Sequence, residues 1–376
     1  MTLPDCPHRP PCPGCPRYGE PGIDAGSLAR LAELAQRAGL PPPAVHEGRA
    51  LGFRHRARLM VRGRAGSPKV GIFQQGSHRI VDIPRCRIHH PRINEVAAVV
   101  REAALATATV PYADRPHTGA LRAVQVAVAK DGERVQLVLV GNATRAEPLR
   151  QLARRTADAL GARLASLWWN GQPERSNAIL GPHWEHLAGE PALADEVAGA
   201  HVFYWPGAFG QSHPWLAEQL VTRLREWVPD GATVAELHAG VGPIGLGLLA
   251  RCAEVRFNEV APHAVLGLRH GLAGRPATEQ ARARVAPGPA EACLELLDGA
   301  DVVIVDPPRK GLEPALCDAL VARPPHRLVY ASCGLDAFLR DASRLMEAGL
   351  RLRALEAWVL FPYTAHVETA ACFTFV

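Results

Sequence analysis

The spacing of apolar residues changes character twice along this chain. Leu28, Leu31, Leu34 and Ala35 form a stripe behind Ser27, with Gly39 beyond, which predicts a helix. From about 46 to 205 the pattern is mixed. Alternation predicts strands at 53–62, 69–74, 121–129 and 134–140, and helical stripes predict helices at 91–107 and 145–160. Asp131-Gly132 reads as a hairpin turn between the last two strands, and Trp168-Trp169 end another strand candidate. From about 201, strands and helices alternate. A helix at 214–228 precedes a strand at 232–238, a glycine turn leading into a helix at 243–252, a strand at 254–260 and a helix at 261–273. "DVVIVD" (301–306) is almost wholly β-branched, as befits a strand buried on both faces. A strand at 327–332, a helix near 336–348 and a terminal strand at 367–376 follow. The expected fold class is α/β, with a doubly wound, Rossmann-like C-terminal domain. Residues 1–45 form a Cys-rich segment and a helix, 46–205 a central α+β domain, and 206–376 the Rossmann-like domain.

Length and composition alter this picture little. A chain of 376 residues, 48% hydrophobic and 21% charged, suits two or three ordinary globular domains. No apolar run approaches a membrane span, and "MTLPDCPHRPPCPGC" has no apolar signal region. A cytoplasmic monomer with no membrane partner is expected.

Charge distribution says more than the net +5. Residues 49–64 carry six arginines and no acid. Arg54, Arg56 and Arg58 alternate, so an extended strand sets them on one face, with Phe53, Ala57 and Leu59 on the other. A guanidinium row of this kind suits a phosphate backbone, which favours RNA or DNA binding over a merely solvated face.

Four stretches suggest chemistry. "ELHAGVGPIG" sets Gly240-x-Gly242-x-x-Gly245 after a strand, with Glu259 at the end of the next one. That context points to an adenosine-type cofactor, the glycines admitting its phosphate or sugar edge and Glu259 binding ribose. It leaves NAD and S-adenosylmethionine both open. Asp306 then ends a buried strand and precedes Pro307-Pro308, which stiffen the loop and favour a methyltransferase over a dehydrogenase. Cys333 sits where "RLVYAS" stops, as either a small buried residue or a nucleophile. Glu368 enters an apolar strand, as either a surface acid or a base raised by burial. Together, a thiol and a base suit methylation of uracil carbon 5. Thiolate addition at carbon 6 makes carbon 5 nucleophilic, and a base then removes its proton.

"FYWPGAFGQSHP", "ELHAGVG", "FNEV", "DPPRKG", "YASCG" and "FPYTAHVET" together resemble the S-adenosylmethionine-dependent RNA uracil-5 methyltransferases over nearly the whole chain. The resemblance implies Cys333 as nucleophile and Glu368 as base. It implies Gln211, His238, Gly240, Gly242, Glu259 and Asp306 around S-adenosylmethionine or the target base. Three positions depart from the family pattern: Gly334 replaces its Asn, His213 another Asn, and Ala239 a Cys. Cys6, Cys12, Cys15 and Cys86 suit either zinc or a four-iron cluster by type, and the resemblance implies a [4Fe-4S] cluster. The stretch before Cys6 is too short for the β-barrel RNA-binding module that many members carry. The chain is therefore most similar to the short bacterial enzymes acting on 23S ribosomal RNA, with the transfer RNA enzymes as the alternative. A catalytically silent iron–sulfur RNA-binding protein is the rival of another class. An NAD-dependent oxidoreductase would leave Cys333 and Glu368 unexplained.

Overall fold

The computed structural model describes residues 5–375. Residues 1–4 and 376, assigned from sequence to the Cys-rich segment and the last strand, lie outside the described residues. The chain divides into two compact units that interleave in sequence. The first comprises Met1–Gly19 and Arg49–Leu193, the second Glu20–Gly48 and Ala194–Val376.

The first unit is built on a seven-stranded sheet in the spatial order Ile80–Asp82, Ser67–Phe73, Arg56–Arg64, Leu121–Val128, Val135–Gly141, Leu164–Gly171, His183–Gly189. Neighbours are antiparallel except Val135–Gly141 and Leu164–Gly171, which the crossover helix Arg150–Leu160 joins in parallel. The Asp131-Gly132 hairpin forms, with Gly132 at φ +82°. Helices Pro91–Ala106 and Arg150–Leu160 cover one sheet face. There Ile93, Val96, Val100 and Leu152 pack on Leu59, Val124 and Leu137. The other face carries a smaller cluster, Met60, Ala123, Val138 and Val140, beside Phe73, Trp168 and Trp184.

The second unit holds an eight-stranded sheet in the order Ala44–His46, Arg351–Trp358, Glu368–Thr374, Arg327–Ser332, Val302–Val305, Thr233–Leu237, Glu254–Glu259, Ala283–Pro287. All neighbours run parallel except Glu368–Thr374, which is antiparallel to both strands beside it. From Thr233–Leu237 the chain first builds outward one way, then returns to add Val302–Val305 on the other side. The loops after Leu237 and Val305 therefore open from one crevice at the carboxyl ends of the strands, where doubly wound sheets bind ligands.

Three expectations need correction. Helix Ala25–Arg37 belongs to the second unit rather than to the Cys-rich segment, because Leu31, Leu34 and Ala35 share a core with Leu316, Phe338 and Leu345. The expected boundaries at 45/46 and 205/206 become breaks at 19/20, 48/49 and 193/194. The helix expected at 243–252 is a single tight turn, Gly245–Gly247. Arg225 donates to the carbonyls of Pro243 and Ile244, and Ile244 also accepts the Gly247 N–H in a three-residue turn. Among the described residues no helix is long and apolar enough to cross a membrane.

Candidate active site

The loop after Thr233–Leu237 turns three times through left-handed backbone, at His238 (φ +59°), Gly240 (+60°) and Gly242 (+82°). Gly240 faces open space: a Cβ there would meet nothing within 4 Å. One on Gly242 would come within 2.5 Å of Leu268. The first glycine thus leaves room for a ligand, and the second lets the loop pack on the following helix. Glu259 is fixed by accepting the Gly240 N–H on one oxygen and the Ala261 N–H on the other, both at 2.7 Å. Each oxygen keeps a second lone pair for ribose hydroxyls. The Gln211 amide oxygen is buried with no partner, an acceptor awaiting a donor. His238 Nε2 lies 3.1 Å from Glu313 Oε2, and its Nδ1 is buried without a partner. The open cradle at Gly240, the anchored Glu259 and the orphaned Gln211 oxygen fit an adenosine-type cofactor.

Cys333 follows strand Arg327–Ser332, and Glu368 opens the antiparallel strand beside it. Ser332 pairs with Thr369, so the register brings the cysteine and glutamate to the same edge. Asp306 follows Val305, which pairs with Tyr330 of the Cys333 strand. All three groups are held in their protonated forms, chiefly by burial. Burial pushes the Cys333 thiol up to about 11, aided by Glu368 and Asp306, while Arg309 acts the other way. Burial, then Asp306, raises Glu368 to about 8, again against Arg309. Burial and Glu259 raise Asp306 to about 7. The resting site at neutral pH therefore holds protons that a reaction must move. Arg309 and Glu313 were not singled out from sequence, although Arg309 lies inside "DPPRKG" and its charge favours the ionised forms of Cys333 and Glu368.

Glu368 has a consequence for stability. Its folded-state pKa of about 8 exceeds its ordinary 4.5, so ionising it costs stability. The cost is absent below pH 4.5, grows through the interval, and is complete above pH 8. Glu368→Gln is expected to raise the Tm most at pH 8 and hardly at pH 4.5. Calorimetry at the two pH values checks this, and an equal shift at both would contradict it.

Gly334 is dictated by close approach. A Cβ there would lie 2.3 Å from the Arg309 carbonyl oxygen, and the Gly334 N–H donates to Ser332 Oγ at 3.2 Å. Gly334→Asn, which restores the family residue, is expected to destabilise by about 1–3 kcal/mol, the usual cost of overpacking. It would also displace the Asp306-to-Arg309 loop. Unchanged melting with full activity would refute the assignment.

In the first unit, Cys6, Cys12, Cys15 and Cys86 line one cavity of about 90 Å3 together with Tyr18 and Arg54. Burial, then Cys86, Cys12 and Cys6, pushes the Cys15 thiol up to about 12. Burial likewise raises Cys12 and Cys86. Among the described residues no group of three or more His, Cys, Asp or Glu is arranged to hold a metal ion.

Arg54 does not continue the expected arginine row. It lies before strand Arg56–Arg64, its backbone bonds to Ile88 and His90, and its side chain enters the cysteine cavity. Arg56 and Arg58 do share a face, alternating with buried Ala57 and Leu59.

No family model matches the chain. An uncharacterized RNA methyltransferase of Protochlamydia amoebophila is 33% identical over 376 residues, spanning 98% of this chain and 97% of that one. An uncharacterized RNA methyltransferase of Thermosynechococcus vestitus is 32% identical, spanning 93% of this chain and 77% of that one. The structure of the Pyrococcus abyssi tRNA (uracil-54, C5)-methyltransferase in complex with S-adenosyl-L-homocysteine shares the fold. The two superpose with a TM-score of 0.77 at 23% identity, covering 93% of this chain and 83% of that one.

Proposed function

The chain belongs to the RNA methyltransferases, and we propose that it transfers a methyl group from S-adenosylmethionine to carbon 5 of a uridine through a covalent Cys333 adduct. The observation that carries this reading is the placement of Cys333 and Glu368 at one sheet edge, beside Asp306 at the mouth of the crevice. When bound, S-adenosylmethionine supplies an electrophilic methyl carbon. Glu259 holds its ribose, the Gly240–Gly242 turn admits it, and Gln211 offers an acceptor to a donor of the cofactor or the base.

The Cys333 thiol first loses its proton to solvent, and its sulfur bonds to carbon 6. The electrons of the carbon 5–carbon 6 double bond shift to carbon 5, which takes the methyl group as the methyl–sulfur bond of S-adenosylmethionine breaks and S-adenosylhomocysteine leaves. Glu368, as carboxylate, removes the carbon 5 proton. That electron pair restores the double bond, the carbon 6–sulfur bond breaks, and Cys333 departs as thiolate.

Arg56 and Arg58 lie along the RNA path. Cys6, Cys12, Cys15 and Cys86 hold a [4Fe-4S] cluster. All four thiols line one cavity, and a set of four thiolates suits such a cluster. Arg54 sets a positive charge beside such an anionic group. The cluster fastens the N-terminal segment to the sheet, and no step of methyl transfer passes through it.

The favoured substrate is 23S ribosomal RNA, on the resemblance to the short bacterial enzymes. Transfer RNA is the second reading, favoured by the substrate named for the Pyrococcus abyssi enzyme. Incubation of fractionated ribosomal and transfer RNA with methyl-labelled S-adenosylmethionine, followed by nucleoside analysis, separates them. Label in 5-methyluridine supports the reaction, and label only in another nucleoside refutes it.

A further inference from the structure

The helix-free face of the first unit's sheet carries a pocket of about 460 Å3, lined by Arg58, Arg62, Arg122, Phe73 and the segment 176–179. It shares no residue with the Cys333 site.

One wall of this pocket is held by polar side chains that are themselves buried. Gln172 donates its amide to the carbonyls of Ala178 and Leu180, both at 3.2 Å. Asn170 grips Gly181 from both sides, accepting its N–H at 2.8 Å and donating to its carbonyl at 2.9 Å. Arg122, only 6% exposed, donates to the carbonyls of Gln172 (2.6 Å) and Glu174 (2.7 Å), with its guanidinium 4.2 Å from the Tyr112 ring centre. Three buried side chains committed to one connecting segment make a preformed wall, and preformed walls lower the cost of binding.

Charge and ring chemistry indicate the occupant. Three arginines face one carboxylate, Asp114, which Arg62 already engages at 3.2 Å. Arg58 donates Nε to Gln125 at 2.7 Å, which leaves its Nη groups for an anion. Phe73 offers a half-buried ring with the Arg62 guanidinium 5.1 Å from its centre. A basic cleft interleaved with aromatic surface is what single-stranded nucleic acid binds, and the volume accommodates one base with its phosphate. Met60, Ile72 and Ile179 add apolar lining beside Phe73, and the three arginines against a single carboxylate favour an anionic occupant over an uncharged one.

We propose that this pocket binds one unpaired nucleotide of the substrate RNA, other than the uridine that is methylated. Its base stacks on Phe73 and its phosphate rests on Arg58. The assignment rests on the RNA methyltransferase reading and adds to it a second point of recognition.

Fluorescence anisotropy with a labelled ten-nucleotide single-stranded oligoribonucleotide tests this, with methyl transfer to bulk ribosomal RNA and bulk transfer RNA measured in parallel. Phe73→Ala is expected to weaken binding by roughly 5- to 150-fold, the range of base–aromatic stacking, and Phe73→Tyr to retain it. Arg58→Gln, at an exposed strand position, is expected to lower the salt slope by about one, and it keeps the test valid should Phe73→Ala fail to fold. KM for RNA should rise in step with the weaker binding in Phe73→Ala and Arg58→Gln, and Phe73→Tyr should keep the wild-type KM. If the wild type methylates RNA and both Phe73→Ala and Arg58→Gln bind like it, the pocket assignment is overturned and the enzymatic reading stands. If the wild type methylates no RNA, the enzymatic reading fails, and the pocket stands or falls on oligonucleotide binding alone. An acidic peptide that fills the pocket without competition from the oligonucleotide would assign it to a protein partner and overturn the proposal.

Discussion

Glu368→Gln is expected to methylate its RNA once and then remain attached to it. The amide cannot take the carbon 5 proton, so the carbon 6–sulfur bond to Cys333 has no means of breaking. The product should be a protein–RNA adduct that survives denaturation and carries labelled methyl, in up to one copy per enzyme. Turnover should fall by at least the 10²–10⁴-fold typical of losing a positioned base. Cys333→Ala should form neither adduct nor product while still binding cofactor. The pH dependence has a defined direction. Glu368 must be ionised to act, and its pKa is raised to about 8, so release of product should slow as pH falls below 8. Free turnover by Glu368→Gln, or activity in Cys333→Ala, would return both residues to structural roles.

Cys86→Ser is expected to release the iron of anaerobically purified protein, from about four atoms per chain to none. The brown colour should go with it. Loss of the proposed cluster is expected to leave the half-buried thiols of Cys6, Cys12 and Cys15 around an open cavity. Proteolysis before Gly19 should then accelerate, while strand Arg56–Arg64 and its sheet, packed under two helices, stay protected from hydrogen exchange. Stoichiometric zinc without iron in the wild type would rule the cluster out.

Much of the second unit was legible because its strands are buried on both faces. Val302–Val305 has no exposed residue, and a run of that kind has few other readings. The glycine loop was legible too, since left-handed turns beside a strand end demand glycine. His238, also left-handed, breaks that rule and gave no such signal. The cysteine and glutamate could be singled out because each interrupts an apolar pattern at a strand end. What sequence could not yield was long-range. Nothing local tells helix Ala25–Arg37 to cross into the second unit, a choice made by Leu31 and Leu34 meeting Phe338 some 300 residues on. The tight turn at Gly245–Gly247 is bound by Arg225, from a different element. Arg54 matched the alternation of Arg56 and Arg58, yet the strand begins only at Arg56, so the alternation carried no information about its side chain.

The central claim is that carbon 5 of uracil is the atom methylated and that its proton leaves only after Cys333 has bonded to carbon 6. RNA transcribed with tritium at uracil carbon 5 tests this directly. Wild-type enzyme with S-adenosylmethionine should release one tritium to water for every methyl group transferred. Glu368→Gln should incorporate methyl and release none, and Cys333→Ala should do neither. Methyl transfer by the wild type without tritium release would place the new bond on another atom and contradict the account.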